Sequence, residues 1–366
     1  MSPLRWSILV TVLLSFFVLS ALVSNTESNV RERIALSPCL LATSDNAKRE
    51  CAFSIIRNTL TQDGAAEALH TFVAANKMFP GLDIDCHAGI HRVGDMMYYS
   101  IYSADQLDVS PDDFPPEALM CNLGFYHGVF EHLFQDYLDP KLISNVCHRF
   151  SSTSDRQTGV IRHTCFHAAG HGLLRAQSEK ISRKDWGNPT AFVTAPIAQC
   201  NSLPNSTEKE RFNCVTGVES IFIQTSMLKE YGLSDPDNGN GFTICNQLDS
   251  TLHPTCYFVR SLMMSQMSNS YLPVLRNCSS ASEPLFRECL RGAIAGLTVN
   301  GLHEESLNRS LSLCRRPEVL RRDGTDACFQ QVINQIELEY LGDYAPQCDL
   351  FPDTFRSACR HASLQS

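Results

Sequence analysis

Residues 200–218 read Cys200-Asn-Ser-Leu-Pro-Asn-Ser-Thr207, then Glu-Lys-Glu-Arg-Phe-Asn, then Cys214-Val-Thr-Gly-Val218. A polar, proline-containing loop follows the first cysteine, and an apolar segment follows the second. The chain repeats this arrangement with a loose period. The cysteines that open apolar segments are Cys51, Cys86, Cys121, Cys165, Cys214, Cys256, Cys289, Cys328 and Cys359, spaced 31–49 residues apart. A period in this range is typical of helical-hairpin solenoids.

A second class of cysteine lies 11–18 residues upstream of the first class in seven of the nine repeats. Its members are Cys39, Cys147, Cys200, Cys245, Cys278, Cys314 and Cys348. We interpret each repeat as a helix that ends at a cysteine, a polar turn, and a second helix that starts at a cysteine, with one disulfide bond across the neck. The repeats at Cys86 and Cys121 lack an upstream cysteine, so these two cysteines are predicted to pair with each other. Sequence alone leaves other connectivities open.

The fold class predicted from this repeat is all-α. Sustained period-two alternation and Asn-Gly hairpin turns between β-branched runs, which would indicate strands, are nearly absent. We expect disulfide-stapled helical hairpins in an α-solenoid-like array of about nine units of 31–49 residues, following an N-terminal hydrophobic helix. The pattern resembles disulfide-bridged α/α-repeat proteins as an architectural class. Two regions are predicted: residues 1–24, a signal-anchor or signal peptide, and residues 25–366, a cysteine-rich repeat domain.

Composition limits the partners. The 366-residue chain is 43% hydrophobic and 19% charged, so it can bury one large or extended core. Its formal net charge is −9 and it has no run of like charge. Nucleic acids and anionic membrane surfaces both require a basic surface, so neither is an expected partner. The predicted partner is a small-molecule or protein substrate, and the oligomeric state is left open.

The N-terminus and the cysteine count predict the compartment. Arg5 precedes an uncharged, mostly apolar run over residues 6–23, which just reaches the length that spans a bilayer. Cleavage after Ser24 or Ala21 would leave a leucine where a small residue is needed, so an uncleaved anchor is slightly favoured over a removed signal peptide. Sixteen cysteines require an oxidising compartment. We therefore expect a single-pass membrane protein with a lumenal or extracellular domain, or a secreted or periplasmic protein if the N-terminus is cleaved.

Three sequons, at Asn205, Asn277 and Asn308, would accept N-linked glycans in a eukaryotic lumen. About three would arise by chance in a chain of this composition. They predict a glycoprotein only if the compartment is eukaryotic, and they do not distinguish a eukaryotic lumen from a bacterial periplasm.

Histidines cluster in three consecutive repeats. His91 lies five residues after its opening cysteine, and His127 and His171 each lie six residues after theirs. Because equivalent positions of stacked hairpins face the same strip of a solenoid, these imidazoles are predicted to converge. Four-residue spacing also places further candidates on the same helical faces. These candidates are His87 beside His91, Glu131 beside His127, and His167 beside His171, while Glu219 follows Cys214 by five residues in the next repeat.

The predicted chemistry is that of a transition metal. Neutral imidazoles with a carboxylate suit zinc, copper or iron better than calcium or magnesium. We predict His87, His91, His127 and His171 as metal ligands. Glu131, Glu219 and His167 are predicted catalytic groups, as carboxylate ligand, general base or proton-transfer residue.

Two hypotheses of function follow. The first is a metal-dependent enzyme, a zinc hydrolase or an iron or copper oxidative enzyme. The second is a non-catalytic helical-repeat scaffold that binds a protein or glycan, in which the histidines only hydrogen-bond backbone carbonyls and space the helices. The chain has no His-Glu-x-x-His, Gly-x-Ser-x-Gly, P-loop or dinucleotide motif that would decide between them. The adjacent glycines Gly128, Gly170 and Gly172 fit either a ligand's close approach to backbone or a tight helix crossing.

Overall fold

The computed structural model of the chain describes residues 34–79, 86–101, 114, 116–149, 156–238, 241–268, 270–298, 304–322, 324–338 and 345–364. Over these ranges the protein is all-α and contains no strand, which confirms the predicted fold class. The predicted signal-anchor at residues 1–24 lies outside the described residues. Among the helices that are described, none combines the length and the apolar character needed to cross a membrane.

The helices alternate along the chain with short turns and 3₁₀ segments. They are α1 (Asp45–Asp63), α2 (Ala65–Met78), α3 (Cys86–Ile101), α4 (Met120–Asp136), α5 (Pro140–Arg149), α6 (Arg156–Lys180), α7 (Pro189–Asn201), α8 (Glu208–Met227), α9 (His253–Ser268), α10 (Tyr271–Cys278), α11 (Glu283–Leu297), α12 (Glu304–Cys314), α13 (Pro317–Leu320), α14 (Thr325–Leu338) and α15 (Asp353–Leu364). In three repeats a 3₁₀ segment replaces the first helix. These segments are Ser37–Leu41, Cys245–Gln247 and Ala345–Leu350.

Seven of the eight predicted disulfide bonds are confirmed, each with a Cα–Cα distance of 5.5–5.7 Å. They join Cys39–Cys51, Cys147–Cys165, Cys200–Cys214, Cys245–Cys256, Cys278–Cys289, Cys314–Cys328 and Cys348–Cys359. The eighth, Cys86–Cys121, depends on a cysteine whose side chain lies outside the described part of the structure, and it stays a prediction. Each confirmed bond closes a loop of 11–18 residues between neighbouring elements.

Most second helices begin before their cysteine, and not at it as the pattern suggested, whereas α3 begins at Cys86. α8 starts at Glu208, six residues before Cys214. Thr207 and Glu210 form a capping box there, which supplies partners to the free backbone N–H groups of the first turn. The polar residues between loop and cysteine therefore belong to the helix. The disulfide bond consequently attaches the neck to the second turn of the helix.

Second helices of successive repeats pack side by side in the same direction. Gly124 and Gly128 of α4 lie against the carbonyl oxygens of His87 and His91 of α3, at the same sequence offset. Because the contact moves forward by four residues along both helices, the two helices are parallel. Gly170 of α6 meets the carbonyl of Cys214 in α8 in the same close way. Gly172 of α6 likewise lies against the carbonyl oxygen of Glu131 in α4, so Gly128, Gly170 and Gly172 serve close helix packing, one of the two roles expected for them.

Large apolar side chains fill the space between the helices. One continuous core extends from Phe53 to Ala362 and includes many fully buried phenylalanines. A smaller core covers the N-terminal disulfide bond at Cys39. Helices α3, α4 and α6 all contribute to this core, so the polar residues on their shared face lie beside one another.

Candidate metal centre

His127 of α4 lies at the centre of the predicted histidine cluster. Neighbouring histidines surround it on both sides, because α4 is packed between α3 and α6. The ring-centroid distances from His127 are 5.4 Å to His87, 5.0 Å to His91, 5.3 Å to His167 and 4.3 Å to His171. The structure thus brings together the predicted ligands from all three repeats. Glu131, one turn after His127, joins them through hydrogen bonds.

The backbone determines the tautomers of His87 and His127. His87 Nδ1 lies 2.9 Å from the carbonyl oxygen of Cys121. A carbonyl oxygen only accepts, so Nδ1 carries the proton and Nε2 of His87 keeps its lone pair. That Nε2 lies 3.2 Å from His127 Nδ1, which must therefore donate. His127 is left with a lone pair on Nε2.

Thr216 of α8 determines the tautomer of His167. The threonine Oγ1 donates to the carbonyl oxygen of Asn213 at 2.7 Å, which uses its only proton. His167 Nδ1 lies 3.1 Å from the same Oγ1 and therefore donates to it. The lone pair of His167 lies on Nε2. Thr216 thus holds His167 as an outer partner holds a metal-ligating histidine.

Glu131 determines the tautomer of His171. The imidazole Nδ1 lies 2.8 Å from Glu131 Oε2 and 3.0 Å from His127 Nε2. The carboxylate is the stronger acceptor, so Nδ1 donates to it. His171 Nε2 is buried and has no hydrogen-bond partner among the described residues. An unpartnered lone pair in a buried imidazole is a position that a metal ion would satisfy.

Burial keeps the imidazoles of His127, His167 and His171 neutral. Burial lowers the pKa of His127 and His167 well below the ordinary value, and the neighbouring histidines lower it further. Burial also lowers the pKa of His171, although the hydrogen bond to Glu131 opposes this. The Glu131 carboxyl behaves in the opposite way: burial would raise its pKa, but hydrogen bonds from His171 and His91 hold it well below its usual range. Arg175 Nε also donates to Glu131 Oε1, so this buried carboxylate is ionised and paired.

His91 differs from the other members of the cluster because it lies between two carboxylates. Its Nε2 is 3.3 Å from Glu131 Oε2 and its Nδ1 is 3.2 Å from Asp95 Oδ1. Burial opposes the charged form, but these two hydrogen bonds raise the pKa of His91 to about 9. The ring is an imidazolium at neutral pH, with both nitrogens protonated. Asp95 also contacts His132, which bonds the exposed Tyr99.

Two sets of residues could hold a metal ion. Within each set, one ligand atom from every residue lies within 4.8 Å of the others. The first set is His127, His167 and His171, and the second is His91, His127 and Glu131. The three lone pairs assigned above belong to the first set. In the second set, His91 would have to lose a proton before binding.

Several residues in the cluster were not predicted from the sequence. Arg175 and Asp95 each lie four residues after a predicted histidine, so extending the helical-face pattern by one turn would have found them. Thr216 and Asn213 flank Cys214 on α8, and only the packing of α8 against α6 shows their contacts with His167 and His163. Asn213 Nδ2 donates to His163 Nδ1 at 2.7 Å. Burial, with a smaller effect of Lys209, lowers the pKa of His163 to about 4.

Glu219, a predicted catalytic group, lies outside both candidate sets. Its side chain is fully buried on α8 and accepts a hydrogen bond from Thr255 of α9 at 3.2 Å. Burial raises the pKa of Glu219 well above its usual value, although the bond from Thr255 acts in the opposite direction. A carboxyl group that stays protonated cannot serve as a general base.

The raised pKa of Glu219 predicts a pH-dependent effect on stability. The unfolded chain ionises Glu219 above about pH 4.5, so folding costs about 1.4 kcal/mol more for each further pH unit until the folded pKa is reached. The E219Q variant lacks this dependence. We expect similar unfolding free energies for both proteins at pH 4 and a more stable variant at pH 8, measured by denaturant unfolding. An equal difference at both pH values would contradict the assignment.

Comparisons of the chain with protein-family models, with curated proteins and with solved structures found no match.

Proposed function

We propose that the protein is a metal-dependent enzyme of a secretory or periplasmic compartment, with a transition-metal ion held by Nε2 of His127, His167 and His171. The observation that carries the proposal is the pattern of protons. All three imidazoles are neutral and each Nδ1–H faces an acceptor, which leaves each lone pair on Nε2, and that of His171 has no partner among the described residues. Packing alone does not require that three adjacent rings all donate from Nδ1 and keep the lone pair on Nε2.

The donor set fits a catalytic metal better than a purely structural one. Three imidazoles leave a coordination position open, whereas structural zinc sites are closed by four protein ligands. A bound zinc ion would supply an acidified water for hydrolysis, and copper or iron would supply redox chemistry. Three imidazoles without thiolate do not select among these metals, so the ion is proposed by class.

The surrounding residues have separate roles in this proposal. His87, Thr216 and Glu131 orient His127, His167 and His171, respectively, and fix their tautomers. Glu131 acts here as an orienting carboxylate, where the sequence suggested a ligand or general base. His91 and Asp95 form a charged pair beside the ligands, so His91 is proposed as a proton donor at the edge of the site.

The compartment follows from the disulfide bonds. Seven stapled hairpins form and persist only under oxidising conditions, which supports an extracellular, lumenal or periplasmic location. Membrane attachment through residues 1–24 and glycosylation at Asn205, Asn277 and Asn308 remain proposals. N-terminal sequencing and glycosidase treatment of the mature protein would test them.

The central test is the metal content of the protein after expression in an oxidising compartment. We expect elemental analysis to find about one zinc, copper or iron ion per chain, or the same stoichiometry after loading with these metals. Removal of the metal by a chelator should leave the helix content unchanged, because the disulfide bonds and the apolar core hold the fold. Protein that neither contains nor takes up any of these metals would exclude the enzyme and leave a binding scaffold.

A further inference from the structure

We propose that Arg175 binds an oxyanion of the substrate, a carboxylate or a phosphate, beside the metal centre. The inference rests on the proposed function, because it names the class of substrate that this site would accept. The anion site itself depends on the guanidinium group and its neighbours, and not on the metal ligands.

Arg175 connects the buried cluster with solvent. It follows His171 by one helical turn of α6, about 6 Å along the axis, on the same face. Its Nε donates to Oε1 of Glu131, whose side chain is 2% exposed, while the Arg175 side chain is 42% exposed. The guanidinium therefore has one edge at the cluster and the remainder open to an approaching molecule.

The two terminal nitrogens of Arg175 are available. Among the described residues, Arg175 donates one hydrogen bond, from Nε to Glu131. Terminal guanidinium nitrogens in a fork match the oxygens of a carboxylate or phosphate, which they bind bidentately. Glu131 uses its second oxygen for His171 and His91, so it does not complete the fork.

Other carboxylates on the helices around the cluster contact groups other than Arg175. Glu179 accepts from Gln135 Nε2 at 2.8 Å, and Asp136 accepts from the Tyr98 hydroxyl at 2.6 Å. Asp95 is paired with His91 and His132. Among the described residues, none of these three acids accepts a hydrogen bond from Arg175, so its terminal nitrogens can take an external anion.

The charge of the whole chain makes a local cation necessary for such a substrate. A protein of net charge −9 repels anions on average. A positive group beside the metal centre offsets this repulsion where the substrate enters. The inferred substrate is therefore a small anionic molecule. Arg175 would bind its charged end, and its other end would lie at the metal.

Calorimetric titration with acetate and with inorganic phosphate tests the inference and separates the two kinds of oxyanion. The full chain is titrated both metal-loaded and metal-free, as wild type, R175K and R175Q. R175K keeps the positive charge and removes the fork, and R175Q removes both. R360K is the matched control, because Arg360 is an exposed arginine on α15 that pairs with Asp349.

We expect one of the two anions to bind wild type and R360K alike. R175K should weaken binding about tenfold or more and R175Q further, with metal content and circular dichroism unchanged. Wild type that binds neither anion, or R175K that binds as wild type does, would overturn the inference. If R175Q fails to fold, R175K decides. Wild type that cannot be loaded with zinc, copper or iron but still shows Arg175-dependent anion binding would instead overturn the proposed function and leave the anion site.

Discussion

Alanine at position 171 is expected to reduce the metal content from about one ion per chain to background. His171 contributes one of three neutral donors, and its buried Nε2 has no other partner among the described residues. Losing one of three protein ligands should weaken binding by more than the 10–100-fold typical for an outer partner. The measurement is elemental analysis of purified wild type and H171A after identical loading and dialysis.

Further variants distinguish the two candidate sets. H167A should lose the metal as H171A does, while H91A should keep it, because His91 belongs only to the second set. H361A is the matched control, since His361 is exposed on α15 and remote in sequence from the cluster. If H91A lost the metal and H167A kept it, the metal site would be the second set, His91, His127 and Glu131. Circular dichroism should be unchanged in all four variants, because the core and disulfide bonds are intact.

The G170A variant is expected to have the largest effect on stability. A Cβ at Gly170 would overlap the carbonyl oxygen of Cys214 and crowd the backbone of Val218. Neither is a flexible side-chain end, so α6 and α8 must separate, at a cost of about 3 kcal/mol or more. Because the separation also moves Thr216 away from His167, metal affinity should fall as well. Denaturant unfolding with the disulfide bonds intact measures the first effect.

Gly159 provides the matched control in the same helix. A Cβ added there meets nothing within 4 Å of the described atoms. G159A should therefore gain about 0.5–1 kcal/mol, because alanine is a better helix former than glycine. Equal changes in G159A and G170A would contradict the close approach of α6 and α8.

The cysteine repeat was sufficient to predict the fold class and seven disulfide bonds. Each confirmed pair is separated by only 11–18 residues, so pairing depends on local geometry that a repeat displays directly. The start of α8 was misplaced, because the capping box at Thr207 lies upstream of the cysteine that marked the repeat. A helix begins where its first N–H groups find partners, and not where its disulfide bond attaches.

The sequence by itself determined which histidines meet. His91, His127 and His171 occupy nearly equivalent positions after their cysteines, and stacked repeats convert equivalent positions into neighbours. Only the tertiary structure decided what each ring can do. The proton on an imidazole depends on the group opposite it, and Cys121, Thr216 and Glu131 reach their rings from other helices, 34–49 residues away in sequence. Two carboxylates therefore make His91 a cation, while burial keeps His127, His167 and His171 neutral, with their lone pairs on Nε2.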